Sequence, residues 1–345
     1  MKALVQTGIG GPEVLKVEER PDPEVGPGEL RILVRAAGVN FADTLARIGL
    51  YPDAPKPPAV LGYEVAGEVE SVGEGVTELG VGDRVMAGTR FGGHAELVVV
   101  PAAQALPLPE RLSFEQGAAF PVNYGTAYAG LILMGGLREG DRVLIHAAAG
   151  GVGISATQLA RNAGAARIFG TSSASKHAAI EAQGVTDPID YRNLDFELVV
   201  MRMTDGEGVD LAFDAIGPTS FRKDYRLLRA GGRLVMYGIS ENSKAGRRSI
   251  PATLKSLAAM PAATMPWWKS LMMMNENKGV FGLNMLKWWD REGSLDRLTT
   301  PLLADLVAGR LEPVVAAAFS FEDAGEAHRF IAERRNVGKV VLFPV

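Results

Sequence analysis

The chain contains no cysteine among its 345 residues. This excludes disulfides, thiolate catalysis and any cysteine-ligated zinc, and leaves the widely spaced His94, His146, His177 and His328 as the only soft ligands. No sign of charge dominates: the net charge is −4 and the basic residues are scattered, so nucleic acid is not an expected partner. There is no apolar run of about 18 residues, the length of a spanning helix. The opening MKALVQTGIGGPEVL lacks the apolar region of a signal peptide, so the sequence predicts a soluble, cytoplasmic protein. Tryptophan is scarce, and all of it falls between positions 267 and 289.

What is present centres on Asp141 to Thr171, DRVLIHAAAGGVGISATQLARNAGAARIFGT. Val143, Leu144 and Ile145 read as a buried strand that opens through Gly150, Gly151 and Gly153 into a helix, with Val152, Ala156, Leu159, Ala160 and Ala163 at helical spacing. Gly164 stops the helix, and a second apolar strand begins at Arg167. In such a βαβ unit the register Ala148, Gly150, Gly153 keeps the second and third glycines of the dinucleotide fingerprint and replaces the first by alanine. Gly150 lets backbone approach a pyrophosphate, Gly153 lets helix and strand pack closely, and the helix N-terminus supplies donors to the anion.

The end of the second strand bears on the choice of cofactor. A carboxylate there would bind ribose hydroxyls, whereas a 2′-phosphate needs donors and positive charge. The sequence offers Thr171, Ser172, Ser173, Ser175 and Lys176 with no acid, which favours NADPH over NADH.

By length the chain suggests about two domains. Residues 1–122 are rich in glycine, proline and short β-branched runs, which predicts a barrel-like β domain. From Tyr124 onward strand and helix alternate, predicting a doubly wound parallel sheet over 123–285, with an insert at about 242–280. A final strand at Lys339 to Phe343 suggests that 286–345 rejoins 1–122 as one discontinuous domain. The helix before it carries Ala324, Ala327, His328 and Ile331, with His328 expected at the surface or in a cap; His146, after the first strand, is expected to be structural. The insert holds basic Lys244, Arg247 and Arg248, then Trp267, Trp268 and Met272 to Met274. Helix packing or a dimer contact, a hydrophobic cap over an acceptor, and a peripheral membrane surface all fit that composition.

Several runs together resemble the medium-chain dehydrogenase/reductase superfamily, in its zinc-free quinone oxidoreductase branch: Gly38-Val39-Asn40-Phe41-Ala42-Asp43, Leu61-Gly62-Tyr63-Glu64-Val65-Ala66-Gly67, Val81-Gly82-Asp83-Arg84-Val85, Thr126-Ala127-Tyr128, Ala147 to Gly153 and Asn336-Val337-Gly338-Lys339-Val340. Gly170 to His177, the Asn123-Tyr124 pair and the Trp267-Trp268 insert are similar to the vesicle amine transport protein homologue subgroup. The resemblance implies a GroES-like β-barrel catalytic domain joined to a Rossmann nucleotide domain, an α/β architecture. It also implies that zinc is absent. Zinc-dependent relatives carry cysteine where this chain has Asn40 and histidine where it has Tyr63; Val122 takes the third position, and the link from Arg90 to His94 is too short for a four-cysteine lobe.

By family precedent, Asn40 and Asp43 with Tyr51 or Tyr63 would hold an acceptor and donate to its oxygen. Asn40 and Asp43 equally suit a turn held by Asx hydrogen bonds, and either tyrosine alone suits core packing. The resemblance adds Asn40, Thr126, Tyr128, Tyr191, Tyr237, Gly238, Ser240, Phe281, Leu283, Arg334 and Asn336 to the cofactor contacts. The expected activity is NADPH-dependent hydride transfer to a quinone or related enone. The alternatives are an enoyl-type double-bond reductase and an NADPH-binding protein with a lipid or partner role. A homodimer through the edge near Val280 to Leu283 is also expected.

Overall fold

The structure is a computed structural model that describes residues 1–244, 247–248, 269–293 and 296–344. The chain forms two compact units. One comprises Met1–Gly125, Lys244–Arg248 and Leu286–Val345; the other comprises Thr126–Ser243 and Ser249–Met285.

The first unit is built on the strand Glu29–Val39, which hides Leu30, Ile32 and Val34 at every second position. Two register shifts bend it along its pairing with Glu64–Val72, and Leu97–Pro101 also pairs with it. Lys339–Phe343 joins it antiparallel, Val340 facing Val39 and Leu342 facing Ala37, so the chain's last strand completes a seven-stranded sheet begun near its start. Inside lie Val65, Val69, Val85, Ala87, Val98 and Val100. A smaller sheet centres on Lys2–Gln6.

The helix Ala324–Ala332 packs Ala324, Ala327 and Ile331 against Leu4, Val39, Val340 and Leu342. His328 lies on the same stripe and is fully buried, which corrects the expectation of a surface or cap position. Positions 324, 327, 328 and 331 follow the spacing of one helix face, and that face is the inner one.

The second unit is a six-stranded parallel sheet. In spatial order its strands are Asp187–Asp190, Arg167–Ser172, Arg142–Ile145, Val209–Asp214, Leu228–Met236 and Gly279–Gly282. Each strand pairs parallel to its neighbour, and the order reverses beside Arg142–Ile145, as in a Rossmann fold. Leu144, Phe169, Ile189, Val209, Ala212 and Leu234 form the core with Val200 and Leu227 from the covering helices. Of the insert, Ser243–Lys244 and Arg247–Arg248 pair as two short strands, and Lys269–Glu276 is a helix with Leu271, Met272 and Met274 exposed. Trp267 and Trp268 lie outside the described residues. No helix among the described residues is long and apolar enough to cross a membrane.

Candidate active site

In the second unit the predicted nucleotide residues gather at the C-terminal edge of the sheet. Gly150 caps the helix Gly151–Asn162 without any side-chain cap bond, and no acid stands in its first turn, so neither a cap nor a carboxylate competes for its first N–H groups. Gly153 is sterically required, because a Cβ there would lie 2.3 Å from the carbonyl oxygen of Ala147. The missing first glycine also has a local explanation. Ala148 is buried, and its methyl occupies space left by Gly170 on the adjacent strand, where an added Cβ would come within 3.0 Å of it.

At the end of the second strand Thr171, Ser172 and Ser173 are buried. The Thr171 hydroxyl turns inward to the His146 ring at 3.1 Å and accepts the Ala147 N–H at 3.2 Å. Ser173 Oγ lies 3.2 Å from Ser175 Oγ, and Lys176 ends the short turn Ala174–Lys176. Tyr191 is half-exposed just past the third strand, its N–H bonded to the Ser172 carbonyl. Tyr237 stacks on Phe213 at 4.0 Å, and burial followed by the Asp214 charge raises its hydroxyl pKa, so the phenol stays protonated. Gly238 passes the Ala215 carbonyl too closely for a side chain, and the Ser240 N–H bonds that same carbonyl. Phe281 is exposed and Leu283 buried at the edge strand; Thr126 is buried and Tyr128 half-buried on the helix Pro121–Tyr128.

The first unit holds the remaining candidates. Asp43 is fully buried and accepts N–H bonds from Asn40 at 2.7 Å and Gly62 at 3.2 Å, which caps the helix Phe41–Arg47. Burial raises its pKa against the opposing pull of His94 and of these bonds. The Asn40 amide is engaged at both ends: Oδ1 accepts from the Lys339 ammonium at 2.6 Å, and Nδ2 donates to Glu64 at 3.1 Å. Glu64 also pairs directly with Lys339 and accepts the Val122 N–H at 2.8 Å.

Sequence reasoning missed this Glu64–Lys339 pair, although each residue opens a strand directly before an apolar run, Val65-Ala66 and Val340-Val341-Leu342. Tyr63 is buried, its hydroxyl has no hydrogen-bond partner among the described residues, and burial strongly raises its pKa. Tyr51 meets it edge-on at 6.5 Å and is pushed up to about 12 by burial and nearby carboxylates. Phe91 packs on Tyr63 at 5.0 Å and also lines a cavity of about 510 Å³ with Thr89, Gln104, Trp289 and Asp290. Arg334 has a left-handed backbone with φ of 56°, and the Asn336 amide donates to the Gly338 carbonyl at 2.9 Å.

These residues do not fit a catalytic zinc. Asn40 and Tyr63 supply neither thiolate nor imidazole, and the Lys339 ammonium already places a positive charge on the Asn40 oxygen. In the second unit His146, Asp214 and Asp224 lie close together, their ligand atoms within 4.8 Å of one another. Both imidazole nitrogens there are engaged at hydrogen-bond distance, by Thr171 and by Asp224 at 2.8 Å, so the group reads as a hydrogen-bonded network.

Comparison with known proteins matches residues 26–110 to the alcohol dehydrogenase GroES-like domain and residues 183–342 to the zinc-binding dehydrogenase family. The synaptic vesicle membrane protein VAT-1 homolog of Rattus norvegicus is 40% identical over 100% of this chain and 84% of its own length. The Escherichia coli quinone oxidoreductase, solved in complex with NADPH, is 29% identical with a TM-score of 0.83 over 100% of both chains. The CurK enoyl reductase is 26% identical with a TM-score of 0.84, over 100% of this chain and 99% of that one.

Proposed function

We infer an activity from one premise: the chain belongs to the medium-chain dehydrogenase/reductase superfamily, close to the VAT-1 subgroup, a family of oxidoreductases that bind nicotinamide cofactors. The function proposed is zinc-independent, NADPH-dependent reduction of quinones or related enones. The observation that carries it is the edge of the parallel sheet, where an uncapped glycine turn is followed by a second strand ending in Thr171, Ser172, Ser173, Ser175 and Lys176 with no carboxylate. The NADPH complex of the Escherichia coli quinone oxidoreductase supports the choice of cofactor.

When bound, NADPH would supply the hydride. The N–H groups of Gly151, Val152 and Gly153 would hold its pyrophosphate, and the serines with Lys176 its 2′-phosphate. Tyr63 and Tyr51, held protonated, would act as hydrogen-bond donors to an oxygen gaining charge. Asn40 and Asp43 would orient their surroundings, since their polar atoms bond within the protein. A steady-state screen of acceptors with NADPH beside NADH tests this assignment. Turnover of ortho-quinones and larger para-quinones with NADPH is expected, whereas oxidation of a simple primary alcohol with NADP⁺ would defeat it.

The likeness to an enoyl reductase favours a second acceptor class, unsaturated thioesters, and the same screen separates the two. A homodimer through the edge strand Gly279–Gly282 belongs to the same proposal, since among the described residues that strand pairs on one side only. So does peripheral membrane contact by the segment that includes Leu271, Met272 and Met274, and a cytoplasmic location.

A further inference from the structure

Beneath the glycine turn lies a fully enclosed charged network that binding chemistry does not require. His146 follows the first strand and is 2% exposed. Its Nδ1 meets Thr171 Oγ1 at 3.1 Å, its Nε2 meets Asp224 Oδ1 at 2.8 Å, and its own N–H bonds the Phe213 carbonyl. Asp224 comes from the helix Pro218–Leu227, is 0% exposed, and lies close enough to Asp214 that burial and the Asp224 charge raise the Asp214 pKa well above the ordinary carboxylate range. Asp214, also fully buried at the end of the fourth strand, accepts from the Ser220 hydroxyl and the Ile216 N–H. Phe196 closes the remaining side, edge-on to the imidazole at 4.7 Å, with the Lys223 ammonium 5.4 Å from the far ring.

The next residue carries the consequence. Ala147 has φ of 51°, a left-handed conformation that alanine adopts only where its surroundings impose it. Two hydrogen bonds impose it: the Ala147 N–H donates to the same Thr171 hydroxyl that meets His146, and the Ala147 carbonyl accepts from the Gly150 N–H at 2.8 Å. The Ala148 N–H is held by the Thr171 carbonyl. The direction in which Gly150 and Gly151 present their backbone therefore follows from where Thr171 Oγ1 sits, and that position is shared between Ala147 and His146.

We propose that the buried His146–Asp224 pair is the positioning element of the nucleotide-binding turn, acting through Thr171 on the strained Ala147. With Nδ1–H and Nε2–H both donating, the ring fixes Thr171 Oγ1 as an acceptor for two N–H groups. When the ring loses a proton it keeps Nε2–H for the Asp224 carboxylate, Nδ1 becomes an acceptor, and the Thr171 hydroxyl must turn to donate to it, so the bond that held Thr171 Oγ1 in place for Ala147 is reversed. Burial alone would lower the pKa of His146, but Asp224 first and then Asp214 outweigh it and push it up to about 9. The restraint then persists through neutral pH and is released on the alkaline side.

The proposal rests on the cofactor reading for its functional consequence, but the turn can be followed without cofactor. The test is to record the backbone amide resonances of Ala147, Gly150 and Gly151 in the cofactor-free protein from about pH 6 to 10, beside NADPH titrations over the same range, for the wild type, Asp224→Asn and His146→Gln. In the wild type the turn amides are expected to titrate with an alkaline midpoint and NADPH affinity to fall about fivefold or more across it. Asp224→Asn should move both midpoints down by about one pH unit or more, a tenfold change in proton affinity. His146→Gln should abolish the step at the turn. Turn resonances that do not titrate in the wild type, or that titrate identically in Asp224→Asn while only its melting temperature falls, would reduce the network to fold stability and overturn the proposal. A titrating turn in a protein that binds no NADPH would uphold the positioning role and remove the cofactor reading alone.

Discussion

Each unit buries a cluster of charges, and the two clusters differ in how those charges are balanced. In the first unit Glu64 and Lys339 are a matched pair, and Asn40, Asn123 and the Val122 N–H satisfy the lone pairs and protons left over. In the second unit one imidazole faces two acids, Asp224 and Asp214, and burial with the Asp224 charge holds the Asp214 carboxyl well above the ordinary carboxylate range. A matched buried pair fixes geometry, whereas an unmatched cluster makes a proton part of the structure.

The sharpest way to break the comparison is to unbalance the matched pair. Lys339→Met leaves the Glu64 carboxylate buried without its cation and should destabilise the first unit by about 3–5 kcal/mol; Lys339→Met with Glu64→Gln should recover much of that loss. Urea denaturation of the single and double variants decides it. A loss below about 1 kcal/mol in the single variant would mean that the pair is wet and unimportant.

The unmatched cluster should declare itself in the pH dependence of stability. His146 has its folded pKa raised above the ordinary 6.5, so its contribution is complete below pH 6.5 and is lost as pH rises toward about 9. His328 has the opposite sign. Burial, with Arg47 and His94 adding to it, lowers its pKa well below 6.5, so the neutral ring is favoured and stability falls as pH drops below 6.5. The combined contribution of the two histidines should therefore be greatest near pH 6.5, each contributing a slope of at most about 1.4 kcal/mol per pH unit. His328→Leu should flatten the acid limb alone and Asp224→Asn should shift the alkaline limb, both measurable by thermal melts across pH.

Lys176 acts at the surface end of the same sheet, and its effect should be confined to binding. Lys176→Ala is expected to weaken NADPH about tenfold to a hundredfold while leaving NADH nearly unchanged, by fluorescence titration of each cofactor. Equal losses would show that Lys176 does not read the phosphate. The smallest effect is expected at Ala148, where restoring the fingerprint glycine should cost only about 0.5–1 kcal/mol of stability. NADPH affinity should barely change, because Gly170 already makes room for the methyl. A large gain in affinity in Ala148→Gly would mean that the alanine impairs the turn.

The sequence by itself determined the parts whose meaning is local. Gly150, Gly151 and Gly153 between an apolar strand and a helix spell out the nucleotide turn, because backbone reach and helix start are set within a few residues. The absence of cysteine is legible in the same way, whereas the reading of Asn40 and Tyr63 as replaced zinc ligands came from the family resemblance. His328 was legible too, had its place on the Ala324, Ala327, Ile331 stripe been weighed above its polarity. The tertiary structure alone decided the rest. Glu64 and Lys339 are far apart in sequence and meet only because the last strand pairs with Glu29–Val39. His146, Thr171, Asp214 and Asp224 come from separate strands and a helix, and converge only where a parallel sheet brings its C-terminal ends together. Local pattern fixes an element and the face it buries, but which charges share a buried site depends on strand order, and no short stretch of residues encodes that.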